Sequence, residues 1–442
     1  MINLSCSEPP TEWAAFVAID WADQKHCWAL IPSTSEKVER GELDATPEAV
    51  EAWAAGLNVR FSGHPIAVCL EQKRGALVYM LAKYAHLVIF PVHPKTAAQY
   101  RETFCPSGAK SDPADAAWLL DLLLRHRHQL RELRPDTPET RLLQHLTEYR
   151  RRLVDEATRQ KNRLTSCLKI YLPQLLGWFD DIGSPVAGAL LERWPTLPEL
   201  QRAHPGTLRR FFHEHNCRNE ERIQERIASI AAAVPAIQDQ AVVEAESLRA
   251  RSLVALLATL RSQIALFDQR IQEVVANHPE QQLFASFPSA GPVLVPRLIA
   301  AFGTQRDRYG AASDVQSLSG IAPVTERSGK QQWVHFRWAC SHFLRQTFHE
   351  YAAHSIVKST WARAYYESQI AAKKTHHAAV RALAFKWIRI MFRCWRDGKP
   401  YDEQAYEVAL QKRNSPVAEL FRTTGIGWKS SAGFQRLSAN PS

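Results

Sequence analysis

The strongest constraint on the fold lies in residues 14–126, where short apolar runs and helical patterns follow one another in a fixed order. AAFVAID (14–20) is a short apolar run ending in an acid, and HCWALIP (26–32) follows closely enough to be its hairpin partner. KVERGEL (37–43) fits a third strand, and TPEAVEAWAAGL (46–57) fits a helix opening on a threonine cap. PIAVCLE (65–71) reads as a buried strand, again ending in an acid. RGALVYMLAKYAH (74–86) is helical, LVIFPVHP (87–94) is another strand, and a further helix starts near Asp112. Three strands, helix, strand, helix, strand, helix predicts one mixed sheet with helices on its faces.

That order is the order of an α/β RNase H-like (RuvC-like) domain. In such a sheet the first and fourth strands are neighbours, and their C-terminal ends open on one edge. Asp20 and Glu71 stand at those ends. In SGAKSDPADAAWLL (107–120), Asp112 precedes Pro113 as an N-cap precedes a proline at the first helical position, and Asp115 sits where a capping-box acid would. Capping alone explains these two, and turn chemistry alone explains Asp20, Glu71 and Asp23. Yet Asp112 and Asp115 are three apart, so both can share one helix face. Four converging carboxylates need cations to neutralise them, and hard oxygen donors suit Mg²⁺. Two such ions would serve phosphodiester chemistry.

Beyond this region the character changes. A long basic helix is expected over 142–171, with YRRRL and RQKNRL supplying Arg150, Arg151, Arg152, Arg159, Lys161 and Arg163. Residues 173–240 are proline-interrupted and read as an inserted helical segment. Leu253, Leu257, Leu260, Ile264, Phe267, Ile271 and Val274 then repeat in four–three spacing. Such a seam predicts a coiled-coil partner, either the first long helix or a second subunit. A mostly helical unit follows: a turn and helix over 287–303, a loop-rich stretch over 317–333, a helix over 337–354, and a basic aromatic helix over 371–402. Lys373, Lys374, Arg381 and Lys386 on the last can bind phosphates, with Trp387, Phe392 and Trp395 available for stacking. The tail after Lys412 reads as loose. These limits give domains at 1–135, 136–280, 281–410 and a tail at 411–442.

The chain carries a net charge of +10, which favours an acidic polymer as partner. Its eight cysteines are scattered without a CxxC pair, which argues against a zinc ribbon and for a reducing compartment. No signal peptide or membrane-spanning apolar run is evident, so a cytoplasmic protein is expected.

Three stretches, VAIDWADQKH, AVCLEQKRGAL and VIFPVHPKTAAQYRETFCPSGAKSDPADAAWLL, resemble the DEDD domain of the IS110 family of insertion-sequence transposases, relatives of Piv-type DNA invertases. AGPVLVPRLIAAFG, LSGIAPVTERSGK and the KK-containing segment closing on RDGKPYD resemble that family's transposase domain. The resemblance covers 13–125 and about 280–405. It implies DNA recombination guided by an element-encoded bridge RNA, with Asp20, Glu71, Asp112 and Asp115 as metal ligands. It also implies a nucleophilic serine, which falls on Ser328, with Arg327 and Lys330 placed to hold phosphate; Ser319 is the competing serine. A site built from both halves would need docking within or between subunits, for which the heptad seam is the obvious interface. The family's proline–glycine–valine/isoleucine–glycine turn is here Pro288-Ser289-Ala290-Gly291. The alternative enzyme is a RuvC-like endonuclease using metal-bound water. A nucleic-acid-binding protein whose site has decayed is the third reading.

Overall fold

Strand β1 (Ala15–Asp20) lies at the centre of a five-stranded sheet. Its companions are β2 (Lys25–Pro32), β3 (Glu39–Asp44), β4 (Ile66–Leu70) and β5 (Leu87–Pro91), in the order β3-β2-β1-β4-β5. β1 and β2 pair antiparallel, as do β2 and β3, whereas β1–β4 and β4–β5 are parallel. In this computed structural model, residues 12–105, 112–329 and 331–413 are described. The chain divides into two compact units between Pro135 and Asp136.

All five residues of β4 are buried, as expected for a strand covered on both faces. On one face α1 (Pro47–Arg60) and α2 (Ala76–Leu81) set Val50, Leu57, Leu77 and Val78 against Val17, Ile19 and Val68. On the other, α4 (Asp112–His126) sets Leu119, Leu120 and Leu123 against Ala18, Ala29, Ala67 and Cys69, and α3 (Pro94–Phe104) packs beside α4. The small side chains on that face of the sheet admit a helix close to the strands. The predicted helix over 74–86 shortens to Ala76–Leu81, because turn hydrogen bonds from Lys83 to Met80 and from Tyr84 to Leu81 redirect the chain into β5. By assignment α4 begins at Asp112 itself, so that acid lies in the first turn instead of at the cap.

The second unit starts with α5 (Pro138–Tyr171). The proline-interrupted segment folds into α6 (Leu175–Trp178), α7 (Pro185–Arg193), α8 (Leu197–Arg202), α9 (Pro205–Glu214) and α10 (Glu220–Ala232). These helices are a module with its own core: Leu190, Phe211, Phe212 and Ile223 pack with Leu164 and Leu168 of α5 and Leu253 and Leu257 of α11 (Gln240–Ala276). The seam on α11 finds its partner inside the chain. Arg150 pairs with Asp268, and Cys167 lies against the Glu246 carbonyl, so α5 and α11 run antiparallel. Leu253, Leu257 and Ile271 are buried there, and Leu260, Ile264, Phe267 and Val274 are half-buried. Contrary to the sequence reading, α11 is long and apolar enough to cross a membrane by length and composition. Its buried residues instead pack on α5 and the module.

The remaining helices are α12 (Gln281–Ala285), α13 (Leu294–Phe302), α14 (Ala312–Leu318), α15 (His342–Lys358), α16 (Thr360–Ala371), α17 (His376–Asp397) and α18 (Glu403–Lys412). Between α14 and α15 the stretch read as loop-rich contains a hairpin of β6 (Val324–Ser328) and β7 (Gln331–His335). The core here is aromatic. Trp387 and Trp395, expected as stacking platforms, are fully buried, donating to Ser355 Oγ at 2.8 Å and the Gly303 carbonyl at 2.7 Å. Phe392 is buried among them, so none of the three is available to a base. The tail from 414 lies outside the described residues. All seven described cysteines are free thiols.

Candidate active site

The register of β1 on β4 places Ile19 opposite Leu70, so Asp20 and Glu71 come next on the same edge of the sheet. Asp20, Glu71 and Asp115 line one cavity of about 220 Å³, together with Tyr100 and Arg101 of α3 and Trp118 of α4. Asp115 is buried, as a cap residue on a surface helix would not be. Asp112 is exposed and does not line the cavity, but it lies close enough to act on Cys27, which faces Asp20 across the β1–β2 ladder. Burial first, then the charges of Asp112, Glu42 and Asp20, raise the Cys27 thiol. Burial and the charge of Glu71 push the Cys69 thiol up to about 12. The four acids therefore border one end of the sheet, with three of them in a single hollow.

Arg101 is the residue that sequence reasoning missed. Its Nη1 donates to Asp115 Oδ1 at 2.7 Å, with side-chain exposures of 21% and 9%. The hydrogen bond and charge of Asp115, with smaller pulls from Glu102 and Glu71, raise the guanidinium above its ordinary value. A cation thus already sits among the acids. As the side chains lie, no three Asp, Glu, His or Cys among the described residues are grouped to hold a metal ion. The donor set nevertheless fits a divalent cation: hard carboxylate oxygens from three elements share one hollow, and the positive group within it marks where charge must be compensated. Tyr100 beside it donates to Asp121 Oδ2 at 2.6 Å. Burial, then that contact, pushes the phenol up to about 12, so it stays protonated at neutral pH.

In the second unit, Ser328 ends β6 and pairs with Gln331 across the hairpin turn. Gly329 takes φ +58° there, the left-handed conformation that suits glycine. Every described residue of the hairpin except Val324 is exposed, including Ser328 and Arg327. Lys330 lies outside the described residues. Ser319 is fully buried, and its hydroxyl donates to the Gln316 carbonyl at 3.2 Å. That bond is a helix-end contact, which leaves Ser328 as the accessible serine of the pair.

The basic side chains divide into two groups. Arg150 is held by Asp268, and Arg151 by Asp155 and Glu350, so both are half-buried in intrachain ion pairs. Arg159 pairs with Glu156, Lys161 with Asp181, and Arg163 with the Gln160 side chain. Arg152 lies over Tyr149 at 5.4 Å and is exposed. Lys373 and Lys374 are exposed before α17, Arg381 lies over Phe336 at 5.3 Å, and Lys386 over Tyr365 at 4.3 Å.

A mixed sheet of this order, with acids at the ends of β1 and β4 and at the start of α4, defines an RNase H-like domain of the DEDD type, a class that depends on divalent metal. A profile of the DEDD transposase domain of IS110 elements matches residues 17–173, and a profile of the IS116/IS110/IS902 transposase family matches residues 281–367. The candidate transposase of the IS117 mini-circle of Streptomyces coelicolor is 27% identical over 90% of this chain and 97% of its own length. The 43.6 kDa protein of insertion element IS110 from the same species is 25% identical over 88% and 96%. The 42 kDa protein of IS900 from Mycobacterium paratuberculosis is 26% identical over 86% and 89%. The chain belongs to the IS110 family of transposases, enzymes of DNA recombination.

Proposed function

We propose that this protein is the cytoplasmic recombinase of a mobile element, which cuts and rejoins DNA through a serine–DNA intermediate under the guidance of a bridge RNA. The observation that carries the reading is the single hollow shared by Asp20, Glu71 and Asp115, with Asp112 at its border. Mg²⁺ is the cation of choice for such donors, and when bound it supplies charge neutralisation and Lewis-acid polarisation at a phosphodiester. Asp20, Glu71 and Asp115 would hold it, with Asp112 completing the set. In the reaction, Ser328 Oγ bonds to phosphorus, its proton passes to solvent, and a phosphodiester P–O bond breaks to leave a strand hydroxyl. Attack by a hydroxyl of the exchanged strand then restores the serine. Support for Ser328 comes from its exposed place at a hairpin turn, which a DNA backbone can reach.

In this reading residues 1–135 carry the metal site, 136–280 form a stalk with an inserted module, and 281–410 present the serine. The α5–α11 pair is then the coiled-coil element through which copies of the chain assemble. The exposed cations Arg152, Arg327, Lys373 and Lys374 contact phosphates.

The test is a covalent adduct resistant to denaturant, formed with element-end DNA, RNA and Mg²⁺. Ser328→Ala is expected to lose the adduct while retaining DNA and RNA binding, and Asp20→Asn to lose it too. Cleavage by Ser328→Ala at the wild-type rate, with no adduct from either protein, would favour hydrolysis by metal-bound water.

A further inference from the structure

A second cavity, of about 360 Å³, opens at the base of the β6–β7 hairpin, between the end of β7, the loop after α14, and helices α16 and α17. Its volume falls in the range of pockets that take one small organic group. Three half-buried aromatic rings, Phe336, Tyr365 and Phe385, line it, together with Lys374 and Arg381. No described residue of its lining is acidic. Two guanidiniums lie near the Phe336 ring, that of Arg345 4.1 Å and that of Arg381 5.3 Å from its centroid. A further lining arginine, Arg337, donates to the Ala322 carbonyl at 3.2 Å and braces the loop. The wall is also close-fitted at Gly320: with φ +67°, a Cβ there would fall 2.5 Å from Cys340 Sγ. The glycine of the LSG sequence is thus needed to let the loop approach the segment that leads into α15.

We propose that this groove holds one unpaired nucleotide, its base among Phe336, Tyr365 and Phe385 and its phosphate at Arg381 and Lys374. Flat rings accept any base face, and cations at the rim match a phosphate. The basic and neutral lining disfavours a basic peptide by charge, and three rings beside the cations suit a base with its phosphate better than an acidic side chain. Lys374 donates to the neutral Gln369 side chain at 2.7 Å, so its charge is not cancelled there. The groove begins at the His335 end of the hairpin, and Ser328 lies four residues further along β6 from Val324, the partner of His335. At about 3.4 Å per residue, that is about 14 Å. A nucleotide seated in the groove would thereby fix the register of a strand relative to the serine. The inference rests on the reading that this unit handles nucleic acid, and it adds an unpaired-base subsite to it.

The experiment measures binding of the full-length protein to short oligo-dT, short oligo-U and a blunt DNA duplex. Two variants are compared with the wild type: Ala378→Phe, which fills the groove from α17, and Arg381→Gln, which removes its cation. Both are expected to lose about tenfold in affinity for a single strand, and Ala378→Phe, which keeps every cation, to leave duplex affinity unchanged. The larger loss, on oligo-dT or on oligo-U, tells whether DNA or RNA supplies the base. Retained single-strand affinity in both variants, or an equal loss on duplex in Ala378→Phe, would overturn the proposal. If Ala378→Phe unfolds, photocrosslinking of 5-iodouracil oligonucleotides to the wild type decides. Crosslinks to Phe336, Tyr365 or Phe385 are expected, and crosslinks confined elsewhere refute the groove. The Ser328 adduct assay reads the recombinase proposal separately: no adduct with groove binding intact rejects that reading alone.

Discussion

Replacing Arg101 by alanine should tighten divalent-metal binding while weakening the metal-free protein. In the structure Arg101 supplies the positive charge that Asp115 needs, in a contact of 2.7 Å with both side chains less than a quarter exposed. A charge-assisted hydrogen bond of this kind contributes about 1.5–3 kcal/mol. A metal ion that takes Asp115 Oδ1 displaces this contact, and to that extent the same energy opposes its binding. Removing it should strengthen apparent metal affinity by about 10- to 100-fold. Without metal, Asp115 is left buried beside Glu71, and the unfolding midpoint should drop. Titration calorimetry with Mn²⁺ or Mg²⁺ measures the first effect, and thermal unfolding in chelator measures the second. A lower metal affinity for Arg101→Ala would refute the reasoning. It would mean that Arg101 keeps Asp115 aimed at the ion instead of competing with it. Arg101→Lys, which retains the charge, should fall between the two proteins.

Glu350→Gln should cost about 2–3 kcal/mol in chemical unfolding, because Glu350 joins Arg151 to the buried Arg297 and its loss leaves two guanidinium groups facing each other; an unchanged midpoint would exclude a structural role. Ser289 has φ +63°, so Ser289→Gly should relieve about 1 kcal/mol of left-handed strain, less what its bond to the His354 carbonyl contributes, and the unfolding temperature should rise; a fall would show that the bond dominates. Burial lowers His26, His278 and His349 below the ordinary histidine value, so the unfolded chain binds more protons. Stability should therefore be full above about pH 6.5 and fall as pH drops below it, and thermal scans between neutral and mildly acid buffer that show no fall would contradict this.

The sheet was legible because its central strands are buried on both faces and read as unbroken apolar runs, as in IAVCL of β4. Asp20 and Glu71 were legible for the same reason, since an acid closing such a run stands out. Arg101 was not, because its partner lies 14 residues away on another helix and no local pattern links them. Arg150 and Arg151 misled for a similar reason: Asp268 and Glu350, which hold them, stand 118 and 199 residues distant, so in sequence they look like a solvated basic face. The β6–β7 hairpin escaped notice because nearly all its residues are exposed, and a strand without a buried side has no alternation to read. The tryptophans of α17 were misjudged because their basic neighbours hid a helix whose other face is core.

The antiparallel pair of α5 and α11 fastens two separate cores to one rod. Leu143 belongs to the core of α12 to α17 and Leu168 to that of the inserted module. Between those two anchor points α5 climbs about 38 Å at 1.5 Å per residue. One turn of duplex DNA measures about 34–36 Å. The rod therefore spaces the two anchor points by nearly one helical repeat, so a duplex lying along it and touched by both cores would be met on one side. Lengthening both helices by three turns would add about 16 Å, about half a repeat, and carry the module on to the opposite side of the groove pattern.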